Sequence, residues 1–234
     1  MQLLASDLWV TEAPLRFLGL EVGARMTIVR LPDGKLWLHS PIAPSPALRD
    51  AVANLGPVAQ LVAPNKLHHL YIGQWKKQFP EASVYVAPGL EEKRSDLEIA
   101  GILGDAPEPA WAAAIDQVAV EGFPFSNEVV FLHRSSGTLL LTDLAFNIGA
   151  RGAPLTRWLF RLMGAYGRLA PTVLEKLLVR DRLALRRSLE RVLAWPFERV
   201  VVAHGEVLET GGREALARGY RWLLGGDDRA QEPG

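Results

Sequence analysis

The chain has 234 residues, 49% of them apolar, which is enough to bury a sizeable layered core. Lysine plus arginine equals aspartate plus glutamate at 26 each, so no overall field draws the protein to nucleic acid or an anionic bilayer, and a small-molecule substrate or ligand is the expected partner. Cysteine is absent, which excludes disulfides, thiolate metal ligands and cysteine nucleophiles and agrees with a reducing, cytoplasmic setting, so any metal must be held by imidazole and carboxylate.

Met1 to Glu12 lacks the basic start, apolar run and small-residue cleavage site of a signal peptide. Leu8-Trp9-Val10 and Met26 to Leu31 read as strands, and Asp33-Gly34 turns the second of these into Lys35 to His39 as a hairpin. A Pro-rich turn, Pro41 to Pro46, leads to a helix over Ala47 to Leu55 with Ser45 or Pro46 at its start. Val58 to Ala63 is a buried strand ending at Pro64-Asn65, His69 to Phe79 has helical spacing, and Ala82 to Ala87 is a strand closed by Pro88-Gly89. Gly101 to Trp111 reads as loop. Strands follow at Ile115 to Val120, Glu128 to His133 and, after a turn, Thr138 to Thr142, which ends at Asp143. Leu155 to Leu193 is helical, and Val200 to Ala203 is a last strand ending at His204-Gly205.

Within the helical region, Leu155 to Val179 is apolar but interrupted by Arg157, Arg161, Arg168, Pro171, Glu175 and Lys176, which excludes a membrane span and predicts amphipathic helices packed on the core. The same arginine-rich polar face is what a membrane-surface helix carries, and the apolar face leaves room for a homodimer. Two β-rich halves, each followed by helices and with no polar linker between them, predict one α/β domain over residues 1–234 with a layered αββα architecture.

Histidines and an aspartate recur where strands end: His39, then His68 and His69 after a short loop, Asp143 and His204. Polar groups at successive strand ends converge on one edge of a sheet, where open α/β folds place ligands. Imidazole and carboxylate suit zinc, iron or manganese, any of which would lower the pKa of a bound water and so supply a hydrolytic mechanism. Asn65 and Asn147 are candidates to orient a substrate, as is His39, which is equally suited to a hydrogen-bonded structural role. Taken singly, Asp143 could cap a turn and His204 close a strand. His133 reads as structural or exposed, the tryptophans as core with Trp158 a candidate pocket wall, and Arg180, Arg182, Arg186, Arg187 and Arg191 as a solvated helix face.

The order of elements resembles the metallo-β-lactamase fold superfamily, in a divergent and uncharacterised branch, on three segments: Leu61-Val-Ala-Pro-Asn-Lys-Leu-His-His-Leu70, Gly137-Thr-Leu-Leu-Leu-Thr-Asp143 and Val200-Val-Val-Ala-His-Gly205. The resemblance implies a four-layer αββα sandwich. The family's His-x-His-x-Asp-His window falls on Pro64 to His69, so Pro64 and Lys66 replace two histidines, His68 stands at the aspartate position and only His69 is kept. Gly122-Phe123-Pro124 stands where a further histidine ligand is usual, while Asp143 and His204 keep their positions.

The first of the family's two metal sites is therefore lost. The second retains His69, Asp143 and His204 and gains His68, for at most one zinc or iron ion, with none as the alternative. The resemblance implies a hydrolase-like protein in which His68 and Lys66 are the candidate catalytic side chains, Lys66 bringing an ammonium to the vacated position. The alternative is a non-catalytic, metal-free descendant that binds a ligand or partner. Substrate class is not encoded in the fold.

Overall fold

A computed structural model describes residues 1–225; residues 226–234, which complete the expected single domain, lie outside the described part. The N-terminal half contributes β1 (Gln2–Ala5), β2 (Leu8–Ala13), a small hairpin of β3 (Arg16–Phe17) and β4 (Leu20–Glu21), β5 (Ala24–Arg30), β6 (Leu36–His39), α1 (Pro46–Ala53), β7 (Val58–Ala63), α2 (Ile72–Gln78), β8 (Ser83–Val86) and β9 (Gly101–Ile102). The C-terminal half contributes β10 (Ile115–Ala119), β11 (Val129–His133), β12 (Thr138–Leu141), α3 (Pro154–Leu162), α4 (Val173–Leu178), α5 (Arg182–Leu193), β13 (Arg199–Val202), α6 (Gly212–Gly219) and α7 (Arg221–Leu224).

Besides the β3–β4 hairpin, two large sheets result, ordered β1-β2-β5-β6-β7-β8-β9 and β10-β11-β12-β13. Their central strands are buried on both faces, which is why they read as continuous apolar runs. On β5 and β6, Met26, Ile28, Leu36 and Leu38 pack outward against Val52 of α1 and Ile72 and Trp75 of α2. Val29 and Trp37, one residue out of phase, pack inward with Phe131, Leu140 and Val201 of the other sheet. On β12 and β13, Leu139, Leu141, Val200 and Val202 face Leu185, Leu189 and Leu216 of α5 and α6. Period-2 alternation thus sorts side chains into three cores and gives the four layers αββα.

The β5–β6 hairpin forms as expected, closed by Gly34 at φ +81°, and Ser45 caps α1 by accepting from the Leu48 N–H. Two expectations are corrected. The helix expected from His69 begins at Ile72, because His69 to Tyr71 are used in turns leading out of the Asn65 loop. Gly101 and Ile102, expected as loop, add an edge strand to β8. The amphipathic stretch from Leu155 to Val179 forms as helices α3 and α4, since Gly164 and Gly167 at positive φ and Pro171 end one before Thr172 caps the next.

β6 runs parallel to β7, and β12 runs parallel to β13. Parallel neighbours end on the same edge, so the residues after all four strands gather there. The two sheets are stitched at that edge, where the Val129 N–H donates to Pro64 O (2.8 Å) and the Lys66 N–H to Ser126 O (2.9 Å).

Candidate metal site

His68, Asp143 and His204 meet at this edge, each offering a ligand atom within 4.8 Å of the others. His68 Nε2 lies 3.2 Å from His204 Nε2 and 3.3 Å from Asp143 Oδ2, and His204 Nε2 lies 3.5 Å from Asp143 Oδ1. Their side chains are only 9, 12 and 7% exposed, so water shields these groups little.

The loop after β7 turns His68 inward through Asn65, which is fully buried. Its Oδ1 accepts from the N–H groups of Leu67 and His68 (2.8 Å each), winding the chain tightly. Its Nδ2 donates to Asp143 Oδ2 (2.7 Å) and Thr142 Oγ1 (2.9 Å). On the opposite side of the Asp143 turn, the Glu128 carboxylate accepts from the backbone N–H groups of Thr142, Asp143 and Leu144 at 2.7, 2.7 and 2.8 Å. The Leu144 carbonyl accepts from Tyr220 Oη (2.6 Å). The turn that presents Asp143 is therefore gripped from both sheets and from the helical layer.

His204 is fixed by its backbone and its ring. Asn147 donates its N–H to His204 O (3.3 Å) and its Nδ2 to Glu206 O (2.8 Å), while Gly205 at φ +104° turns the chain where a Cβ would lie 2.2 Å from Asn147 O. Buried Arg25 spans the sheets to Val202 O and Gly205 O (2.6 Å) and pairs with Glu12 (2.5 Å). The ring is stacked on Phe146, centroids 5.8 Å apart.

Outer contacts hold both rings, and one of them fixes a tautomer. His204 Nδ1 lies 2.7 Å from Gly23 O, a group that only accepts, so Nδ1 carries hydrogen and Nε2 of the neutral ring presents a bare lone pair to the site. His68 Nδ1 is 2.7 Å from Ser40 Oγ, held at the end of β6 by a left-handed backbone at φ +53°. Burial by itself pushes the Asp143 carboxyl up, but His68 and His204 beside it outweigh burial and hold it well below the usual carboxylate range. Glu128 is pushed up to about 7, by burial first and the Asp143 carboxylate second.

With the ring hydrogens on the outer nitrogens, two imidazole lone pairs and a carboxylate would face one another and call for a cation among them. The spacing suits a metal: tetrahedral bonds of about 2.0–2.1 Å set donor atoms roughly 3.3–3.4 Å apart. The Gly23, Ser40 and Asn65 contacts are of the kind that orient metal ligands from behind. The donors present can therefore hold one ion, and their nitrogen and oxygen chemistry suits zinc, iron or manganese.

The other expected residues lie elsewhere. His69 falls outside the triangle: its Nδ1 faces Arg94 (3.1 Å), and its pKa is lowered to about 4 by burial first and then by Lys93 and Arg94. Adjacent residues leaving a tight turn face opposite ways, so His68 takes the place in the donor set expected for His69. Lys66 does not reach Asp143; its ammonium donates to Pro124 O (2.9 Å) at the surface. His39 is buried between the sheets, stacked on Trp37 at 5.5 Å and edge-on to Phe131 at 5.4 Å, with its Nε2 unpartnered. Asn65 and Asn147 spend their amides on the protein itself. Sequence reasoning missed Ser40, Arg25, Glu128 and Gly23, whose contacts lie far along the chain; the one local signal was an acid, Glu128, directly before a run of buried strand residues.

The fold is that of the metallo-β-lactamases. Similar solved structures include a metallo-β-lactamase from Pontibacter korlensis (14% identity, TM-score 0.65, covering 95% of this chain and 97% of that one) and one from Hirschia baltica (11%, 0.63, 96% of each). The Flv1 flavodiiron core from Synechocystis sp. PCC6803 is also similar (15%, 0.62, 94% of this chain and 59% of that one). No curated protein matches by sequence. A family model described as a domain of unknown function, DUF4336, matches residues 5–160, a span that takes in His68 and Asp143 and stops before His204. On that match, which covers most of the chain, the protein belongs to the DUF4336 family.

Proposed function

We propose that the protein is a mononuclear, hydrolase-like member of the metallo-β-lactamase fold, with one zinc or iron ion held by His68, Asp143 and His204. The observation that carries this reading is the inward-facing set of two ring nitrogens and a carboxylate, separated by 3.2 to 3.5 Å, with each ring nitrogen on the far side engaged by a neighbour. A divalent ion there would act as a Lewis acid that activates water toward a small substrate.

The chain's own contribution is to orient the donors. Asn65 and Glu128 fix the Asp143 turn, Ser40 and Gly23 fix the rings, and Phe146 supplies an apolar wall with Ile148, Phe160 and Ala165. Asp143, held ionised, keeps its charge for the cation across the working pH range.

A second reading, a metal-free ligand-binding protein, draws on the same 3.2 Å separation, at which one proton can bridge His68 and His204. Elemental analysis of protein purified without chelator separates the two. The first reading expects about one ion per chain, lost in His204→Ala and Asp143→Ala, kept in His69→Ala, with thermal stability that falls on chelation in the parent. Metal-free protein whose melting temperature ignores added zinc refutes it and leaves the proton bridge.

A further inference from the structure

Helix α3 is apolar on two sides, and only one of them is used. Thr156 and Phe160 face inward, whereas Leu155, Trp158 and Leu162 are 61, 57 and 64% exposed. At about 100° per residue these three fall within roughly 60° of one another, a single row on the helix. Helix α4 buries none of its residues; Val173, Leu174 and Leu177 are 48, 51 and 77% exposed. The rows adjoin, because the Val173 N–H donates to Met163 O (3.0 Å) just past the end of α3. A continuous face of this kind marks an interaction site.

Charge identifies the occupant. Residues 151–176 carry Arg151, Arg157, Arg161, Arg168 and Lys176 against one acid, Glu175, whose carboxylate is turned back onto Thr172 as a helix cap. Beside α4 lies a cavity of about 540 Å³ lined by Arg168, Lys176, Arg218, Arg221 and Trp222, with no carboxylate among its lining residues. Among the described residues none of these four cations is ion-paired. A second copy docking through this face would set the same cations against each other. An anionic bilayer supplies both an apolar layer for the row and phosphates for the cavity, and no described helix is long and apolar enough to cross it.

We infer that the α3–α4 face docks the protein on an anionic phospholipid surface, the exposed row entering the interfacial layer and the cationic cavity taking a lipid headgroup phosphate. Neither helix carries a residue of the metal triangle.

The test is co-sedimentation of the full chain with vesicles of phosphatidylcholine alone and of phosphatidylcholine mixed with phosphatidylglycerol. Partitioning at least about tenfold stronger onto the anionic vesicles is expected, weakening as salt rises. The double variants Leu162→Gln/Leu177→Gln and Arg218→Gln/Arg221→Gln should each lower it about tenfold with melting temperatures unchanged, since the altered side chains are at the surface. Equal partitioning onto both vesicles, absence of binding, or binding indifferent to both double variants would overturn the assignment. So would a concentration-dependent dimer that Leu162→Gln/Leu177→Gln dissolves, which gives the face to a second copy.

Discussion

Replacing His39 by phenylalanine tests the electrostatics beneath the site. His39 is held down to about 3 from 6.5, first by burial and second by the nearby His68. The unfolded chain therefore takes up the proton first as pH falls. The stability this residue contributes is complete above its unfolded value of 6.5 and is lost progressively on the way down to about 3. At about 1.36 kcal/mol per pH unit, a descent from neutrality to about pH 4 costs on the order of 3 kcal/mol from this side chain alone. Phenylalanine fits a space walled by Trp37 and Phe131, relieves the unpartnered Nε2 and has no proton to gain. Denaturant titrations of both proteins at the two pH values measure the effect, because titrating groups that do not interact with His39 cancel in the difference. The variant should overtake the parent on acidification by about that amount. A stability difference that stays constant with pH would show that His39 takes up its proton in the fold as readily as in the unfolded chain, and the argument from burial would be wrong.

Two further substitutions probe the scaffold. Asn65→Ala removes the donor to Asp143 and the acceptor for two backbone N–H groups, so chemical denaturation should show a loss of on the order of 3 kcal/mol. In the same variant zinc titration should show an affinity weaker by about 10- to 100-fold, as expected when a residue behind a ligand is lost. Gly205→Ala places a methyl against the Asn147 carbonyl at a left-handed φ; a loss of at least about 3 kcal/mol should lower the melting temperature by roughly 6–12 °C, read by calorimetry.

The strands were legible because both faces of the central ones are covered, leaving runs such as Val58 to Ala63 and Val200 to Val202 with polar residues only at their ends. Asp143 and His204 were legible for the same reason, since a polar residue closing such a run sits at the sheet edge. The choice between His68 and His69 was not. It is made by the Asn65 turn and by partners 28 and 25 residues away, Ser40 and Arg94, which no local pattern ties to those rings. Arg25 left no signal and Glu128 only its place before a buried strand, because a buried ion looks, in sequence, like a charge at the margin of a strand. From Leu155 onward the alternation of apolar and cationic residues suits helices packed on the core and a membrane-surface helix alike, and local sequence does not decide, because it is Thr156 and Phe160 that fill the space beneath α3 and leave the Leu155, Trp158 and Leu162 row outside.

The donor triangle draws on both sheets: His68 follows β7 of the larger sheet, and Asp143 and His204 follow strands of the smaller one. Any cation held there is a clasp across the central seam, with no complete binding set until the two halves have closed. Its affinity would then rise and fall with the seam, and binding energy would flow into holding the native pairing shut without guiding either half toward it.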